Sequence, residues 1–368
     1  MAKSHPSRAL VLSGGGGRGA YHVGVLRFLE EHEWVPDIIV GTSIGAVNGA
    51  AIASGHTAHS LWALWRRLTT DDVQRRAWDL FSLDEWDHLL DTAPLRKTLV
   101  EGGWIDLSRV NAESPAKHLR ITVVEMETGR LRVFGNSPDP SPGSRCEHVE
   151  ITLDHILASC SIPLVYPPTR IDDVAFWDGG TVANTPLGPA IDAGAEDIVV
   201  VLMTPWEDEE GRPRYTPAGG VRGLLSAAQA AFEWALLASF QADLKLFHRT
   251  NQVVRLTLEN ARLQAENEAL KAQLRGQSPP SPQAEAIDLR HQEIEPPVIV
   301  SPQHPIPLAE IIRYDPDNHE RLYQMGYGDA KAAWVRAGRP LEGESGLPGG
   351  GLSIAMPAVG GFTDLTGS

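Results

Sequence analysis

The sequence predicts an α/β protein: a mostly parallel central sheet with helices on both faces, plus a long helical insertion. Three observations predict it. Short apolar runs end in glycine turns, stretches of helical period separate those runs, and one stretch over 224–274 is alanine-rich and almost free of breakers. Buried strands alternating with helices favour parallel pairing, because each parallel crossover needs a connecting helix.

Residues 8–13 read as a short buried strand that runs into Gly14, Gly15, Gly16 and Gly17. A helix follows, with Tyr21, Val25, Leu26 and Leu29 on its inner face. A second strand over 37–40 enters Gly41-Thr42-Ser43-Ile44-Gly45 and then a small-residue helix over 46–53. Further strands are expected at 119–125, 131–134, 198–203 and 298–300.

The long stretch over 224–274 reads as one helix or two joined ones. With Leu256, Leu263 and Leu270 as d positions, Val253, Asn260, Asn267 and Leu274 fall at a, flanked by Glu and Arg. Two readings stand side by side. The leucine stripe packs on its own domain, or it pairs with a second copy through Leu256, Asn260, Leu263, Asn267 and Leu270, where a buried Asn at a argues for a two-stranded pairing. Ser-Pro-Pro-Ser-Pro within 277–283 marks a linker, and the glycine-rich tail after Gly338 is expected to be disordered.

The chain has 368 residues, 42% of them hydrophobic, enough to bury one large core or two modest ones. With 32 basic and 47 acidic side chains the formal net charge is -15, a field that repels polyanions and excludes nucleic acid as an expected partner. Only Cys146 and Cys160 are available for disulfides, which reads as a cytoplasmic protein with reduced thiols. No apolar run approaches the roughly 20 residues needed to cross a bilayer, so lipid contact is expected to be peripheral. Trp62, Trp65, Trp78, Phe81 and Trp86 cluster in a span suited to a lid or lipid interface, although aromatic core packing is the favoured reading.

A serine hydroxyl is a weak nucleophile. It needs an exposed sharp turn, a base within hydrogen-bond reach, and donors aimed at the oxyanion that develops. Gly41-Thr42-Ser43-Ile44-Gly45 has the G-x-S-x-G form of a nucleophile elbow, and its strand-turn-helix setting puts Ser43 at a helix N-terminus, where the dipole favours negative charge. The loop from Gly14 to Gly19 offers a nest of backbone N–H groups suited to an anion. Alone it also resembles a dinucleotide fingerprint, but the second strand ends in Gly-Thr-Ser where the acidic ribose ligand should stand, and no Walker lysine is present. Asp178-Gly179-Gly180 follows the apolar residues 174–177, which delivers a carboxylate into a glycine turn; by spacing alone it is a turn. Arg18 reads equally as a brace, a headgroup ligand or a solvated side chain, and the lone His22 as structural.

Taken in order, Gly14-Gly-Gly-Gly-Arg-Gly19, Gly41-Thr-Ser-Ile-Gly45 and Asp178-Gly-Gly180 resemble the patatin-like phospholipases. Ser159-Cys-Ser-Ile-Pro163 with Tyr166-Pro-Pro168, and Gly326-Tyr-Gly-Asp-Ala330 further on, extend the likeness. The resemblance implies a catalytic domain from 8–205 and 297–337; the helical insertion over 219–275, the linker over 276–296 and the glycine-rich tail over 338–368, read from pattern and composition, lie outside the family's shared motifs. It implies a Ser-Asp dyad with Ser43 as nucleophile and Asp178 as base, and an oxyanion hole at Gly14, Gly15 and Gly16. Gly19, Gly41, Gly45, Gly179 and Gly180 support the motifs, and no metal or cofactor is implied. The expected activity is hydrolysis of fatty-acyl esters of phospholipids or lysophospholipids. The alternatives are an esterase or thioesterase for neutral glycerides, acyl-CoA or soluble esters, a phosphate-binding protein, and an inactive dimeric scaffold.

Overall fold

The computed structural model describes residues 6–76, 89–141, 143–206, 223–275 and 293–341. The first part holds β1 (Arg8–Leu12), a 3-10 turn (Gly16–Gly19), α1 (Ala20–Glu31), β2 (Ile38–Thr42), α2 (Ile44–Ala53), α3 (Ala58–Trp65) and α4 (Thr70–Val73). There follow β3 (Arg75–Arg76), β4 (Leu90–Asp91), α5 (Ala93–Glu101), α6 (Leu107–Val110), β5 (His118–Glu125), β6 (Leu131–Gly135) and β7 (Cys146–His148). Next come α7 (Leu153–Ser159), β8 (Thr169–Ile171), β9 (Val174–Asp178), a 3-10 turn (Gly179–Thr181), α8 (Gly188–Asp192) and β10 (Asp197–Val201). The last are α9 (Leu224–Leu274), β11 (Val298–Val300), a 3-10 turn (Leu308–Ile311) and α10 (Pro316–Arg336).

The main sheet runs β11-β10-β1-β2-β5-β6-β7, with β8 and β9 joined off this path. Every pairing from β11 to β5 is parallel. At β5 the direction reverses, and both β6 and β9 pair with it antiparallel. The mostly parallel sheet is therefore present, with an antiparallel extension at one end. Its cause is loop length: only residues 126–130 separate β5 from β6, too few for a crossover helix, so the chain returns as a hairpin.

Helices cover both faces. Along β1, Leu10 and Leu12 enter one core with α1, α2 and α10, whereas Ala9 and Val11 enter a second with α8 and the first half of α9. On the first face α1 and α10 approach at bare backbone: a Cβ at Gly24 would lie 1.9 Å from the Tyr323 carbonyl oxygen, and one at Gly326 would lie 2.1 Å from that of Tyr21. The aromatics of the third helix go inward. Trp65 is fully buried and donates its indole N–H to Asn48 Oδ1 at 2.9 Å, and Trp62 stacks on Tyr323. Trp78, Phe81 and Trp86 lie outside the described residues, as do 276–292 of the expected linker and 342–368 of the expected tail.

Residues 224–274 form one unbroken helix. Its first half packs on the domain through Leu237, Phe240 and Phe247, and Asn251 clasps the backbone of Ile294. Beyond Val254 none of its residues is buried. The stripe thus does not pack on the described part of its own domain: Leu256, Leu263 and Leu270 are 53%, 56% and 59% exposed. Cys146 and Cys160 are free thiols, and among the described residues no helix is long and apolar enough to cross a membrane.

One buried ion pair ties β5 to the loop after β6. The Arg120 side chain, 1% exposed, meets that of Asp139, 2% exposed, and also donates to the Leu119 carbonyl oxygen at 2.8 Å and Ser137 Oγ at 3.2 Å. Removing one partner strands the other charge in the core. We expect Asp139→Ala to lower unfolding free energy by about 3–5 kcal/mol in urea titrations; a loss below about 1 kcal/mol would show that the pair is screened.

Candidate active site

Strand β5 sets the site. β2 lies parallel to it and its last residue, Thr42, pairs with Thr122. β9 comes from the opposite direction on the same strand, and its last residue, Asp178, pairs with Val123. The two strand ends therefore meet head to head, one residue apart along β5, where successive residues are about 3.3 Å apart. Ser43 follows directly from the first and Asp178 ends the second.

Ser43 occupies backbone geometry that side-chain-bearing residues rarely adopt, with φ 57° and ψ −127°. It caps α2, whose first turn points its N–H groups at the serine. The turn closes only without side chains on either side: a Cβ at Gly41 would lie 2.4 Å from the Gly45 carbonyl oxygen, and one at Gly45 would lie 2.2 Å from that of Leu12. The strained turn is held from behind. The Ser43 N–H donates to Ser159 Oγ at 2.8 Å, and that hydroxyl donates to the Thr122 carbonyl oxygen at 2.8 Å.

Asp178 is 4% exposed. Burial raises its pKa from 3.8 to about 7, and the Ser43 hydroxyl and the Gly180 N–H, which both favour the carboxylate, limit the rise. The Gly180 bond measures 2.7 Å. The Asp178 N–H donates to the Ser161 carbonyl oxygen at 2.9 Å. Ser159 and Ser161, two residues apart, thus hold the backbone of Ser43 and of Asp178 respectively. Neither was singled out from the sequence, where they stood only within a segment of family likeness.

In the glycine loop one expectation changes. The Gly14 N–H is spent on Asn184 Oδ1 at 3.1 Å, so it is not free for an oxyanion. Among the described residues nothing accepts from the N–H groups of Gly15 or Gly16. Gly16 has φ +56°, and a Cβ there would lie 2.0 Å from the Ile311 carbonyl oxygen. Gly19 packs against Ile44 and Trp65, and Gly179 against Thr122. Asn184 was missed in sequence; its only local signal is an Asn-Thr-Pro turn after the glycines.

Gly14, Gly15, Gly16, Ser43, Asp178 and Asn184 line one cavity of about 280 Å³. Ile162, Met203, Ile311 and two residues of α9, Ala235 and Leu236, complete a largely apolar wall. Arg18 also lines it; its guanidinium donates to the Met203 carbonyl oxygen at 3.1 Å, which anchors the loop to the strand end after β10. His22 contacts Asn48, and burial lowers its pKa to about 3, which keeps the ring neutral. No cluster that could hold a metal ion occurs among the described residues.

Residues 10–191 match the family profile described as Patatin-like phospholipase. Protein YqhO of Bacillus subtilis (strain 168) is 26% identical over 242 residues, which cover 61% of this chain and 78% of that protein. The cGAMP-activated phospholipase of Pseudomonas aeruginosa (strain BWHPSA011 / Pa011) is 31% identical over 186 residues. That match covers 48% of this chain and 53% of the relative, so the chain spans about half of that protein's length. Among solved structures, VipD from Legionella pneumophila aligns over 90% of this chain and 67% of its own at 12% identity, with a TM-score of 0.42.

The buried carboxyl has a cost that depends on pH. Below about pH 4 it is protonated in folded and unfolded chains alike; between about pH 4 and pH 7 only the folded chain keeps the proton, so stability falls as pH rises through that window. Asp178→Asn cannot ionise. We expect its urea-unfolding free energy to match the parent near pH 4 and to exceed it at pH 8; a difference that does not grow with pH contradicts the burial argument.

Proposed function

Residues 10–191 of this chain belong to the patatin-like phospholipase family, and on that premise we propose that the protein is a lipid acyl hydrolase, cleaving fatty-acyl esters of phospholipids or lysophospholipids through an acyl-Ser43 intermediate. The observation that carries this reading is a strained serine at a strand-helix turn, brought by adjacent pairings on β5 beside a buried aspartate whose pKa is raised to about 7. A base poised near neutral pH is matched to taking a hydroxyl proton and giving it back.

In the proposed reaction the Asp178 carboxylate takes the Ser43 proton as Oγ attacks the ester carbonyl carbon. The oxyanion is held by the N–H groups of Gly15 and Gly16, with Asn184 fixing Gly14 and so the pitch of the loop. Collapse expels the alcohol, which takes the proton from Asp178. Water then attacks the acyl-serine with Asp178 again as base, releasing the fatty acid and restoring Ser43. All groups belong to the chain, and no cofactor enters.

The surface around the cavity supports a lipid rather than a soluble ester. Leu164, Val182, Trp234 and Ile312 are exposed, and each is the sequence neighbour of a cavity-lining residue: Pro163, Thr181, Ala235 and Ile311. Leu164 is 78% exposed and held at φ 68°. Four separate segments thus bring apolar side chains to the surface beside one cavity, an arrangement suited to peripheral contact with a lipid surface. The net charge of -15 favours zwitterionic over anionic lipid. The cytoplasmic location read from the free cysteines belongs to the same proposal.

We expect Ser43→Ala and Asp178→Asn each to cut hydrolysis of phosphatidylcholine vesicles by about 10³-fold or more, with circular dichroism unchanged; an undiminished Ser43→Ala rate overturns the proposal. The doubly substituted Leu164→Ser, Trp234→Ser protein should lose about tenfold or more on vesicles and keep its rate on a soluble short-chain ester. Equal losses on both substrates would remove the lipid-surface reading.

A further inference from the structure

The second half of α9 carries an apolar stripe with nothing described to cover it. From Val253 to Leu274 it runs about 32 Å along the helix, and its a and d side chains are exposed: Val253 at 61%, Leu274 at 88%, and Leu256, Leu263 and Leu270 between them. An isolated stripe of this kind stays costly to hydrate until another helix covers it.

We propose that this stripe pairs with the same stripe of a second copy of the chain, as a parallel two-stranded coiled coil of about three heptads. Side-chain complementarity selects both partner and direction. In a parallel, in-register pair Asn260 meets Asn260 and Asn267 meets Asn267, so each amide finds a donor and an acceptor, and leucine meets leucine at d. The g residue Glu266 then faces Lys271, an e residue, of the other copy, with Arg262 of its own helix already 2.9 Å away. Antiparallel pairing sets Glu266 against Glu259 or against its own copy, and buries each asparagine amide against leucine, where it lacks a partner.

The stripe is the continuation of the helix that supplies Ala235 and Leu236 to the cavity wall. Parallel pairing therefore places both catalytic domains at the N-terminal end of the coil, related by a two-fold axis along it, so that both cavities take the same inclination to that axis.

Sedimentation velocity of the full chain up to about 100 µM reads the association directly. We expect a dimer that dissociates on dilution, and a monomer for Leu256→Glu, Leu263→Glu at every concentration, with an unchanged near-UV circular dichroism spectrum as the sign of an intact fold. Asn267→Cys should form an intermolecular disulfide under mild oxidation, with the parent chain as control for Cys146 and Cys160. A parent that is monomeric throughout overturns the proposal, including one whose stripe binds vesicles instead, and so does a dimer that survives the double substitution. A dimer lost on that substitution but not cross-linked through residue 267 overturns the parallel register. None of these results depends on whether Ser43 is the nucleophile, so failure here is distinct from failure of the hydrolase reading.

Discussion

The site depends on one strand serving as a ruler. β5 accepts β2 as far as Thr122 and β9 from Val123 onward, so its edge is shared by two strands that run toward each other. A serine and an aspartate separated in the chain by well over a hundred residues are brought together by consecutive backbone pairings rather than by loop placement. Such a constraint is stiff, because slipping either strand by one residue would turn its side chains to the opposite face. Ser159 and Ser161 add a second fixing point from the end of α7, one hydrogen bond to each side of the pair.

This arrangement concentrates strain and desolvation at identifiable atoms. Ser43 holds a positive φ that a residue with a side chain accepts only under constraint, and Asp178 is enclosed where ionisation is disfavoured. Both costs are borne by the parallel sheet and the two cores on its faces. The glycines work in the same direction: they leave no side chain between Leu12, Ser43 and Asn184, so backbone donors approach the serine closely.

The sequence made legible what is local. Strand, glycine turn and helix around Ser43 could be read from pattern, as could the glycine loop and the delivery of Asp178 at the end of an apolar run. It did not show long-range pairings. Asn184 reaches Gly14, and Ser159 reaches Ser43, across 170 and 116 residues, and no periodicity encodes such distances. For that reason Gly14, Gly15 and Gly16 were all expected to face the oxyanion, whereas the N–H of Gly14 is taken. The antiparallel return at β6 was readable in principle from the five residues of its loop, but a rule built on alternating strands and helices passed over it. For the leucine stripe, sequence favoured packing on its own domain over pairing, and exposure along α9 removes that packing within the described residues.

The measurement that bears most directly on the pairing of Ser43 with Asp178 is the rate at which a fluorophosphonate modifies the protein as pH is varied, with the modified residue identified by mass spectrometry. We expect a single adduct on Ser43, a rate that rises through about pH 7 as Asp178 ionises, and a slow, nearly pH-independent rate in Asp178→Asn. An adduct elsewhere, or equal rates for the parent and Asp178→Asn across that range, would contradict it.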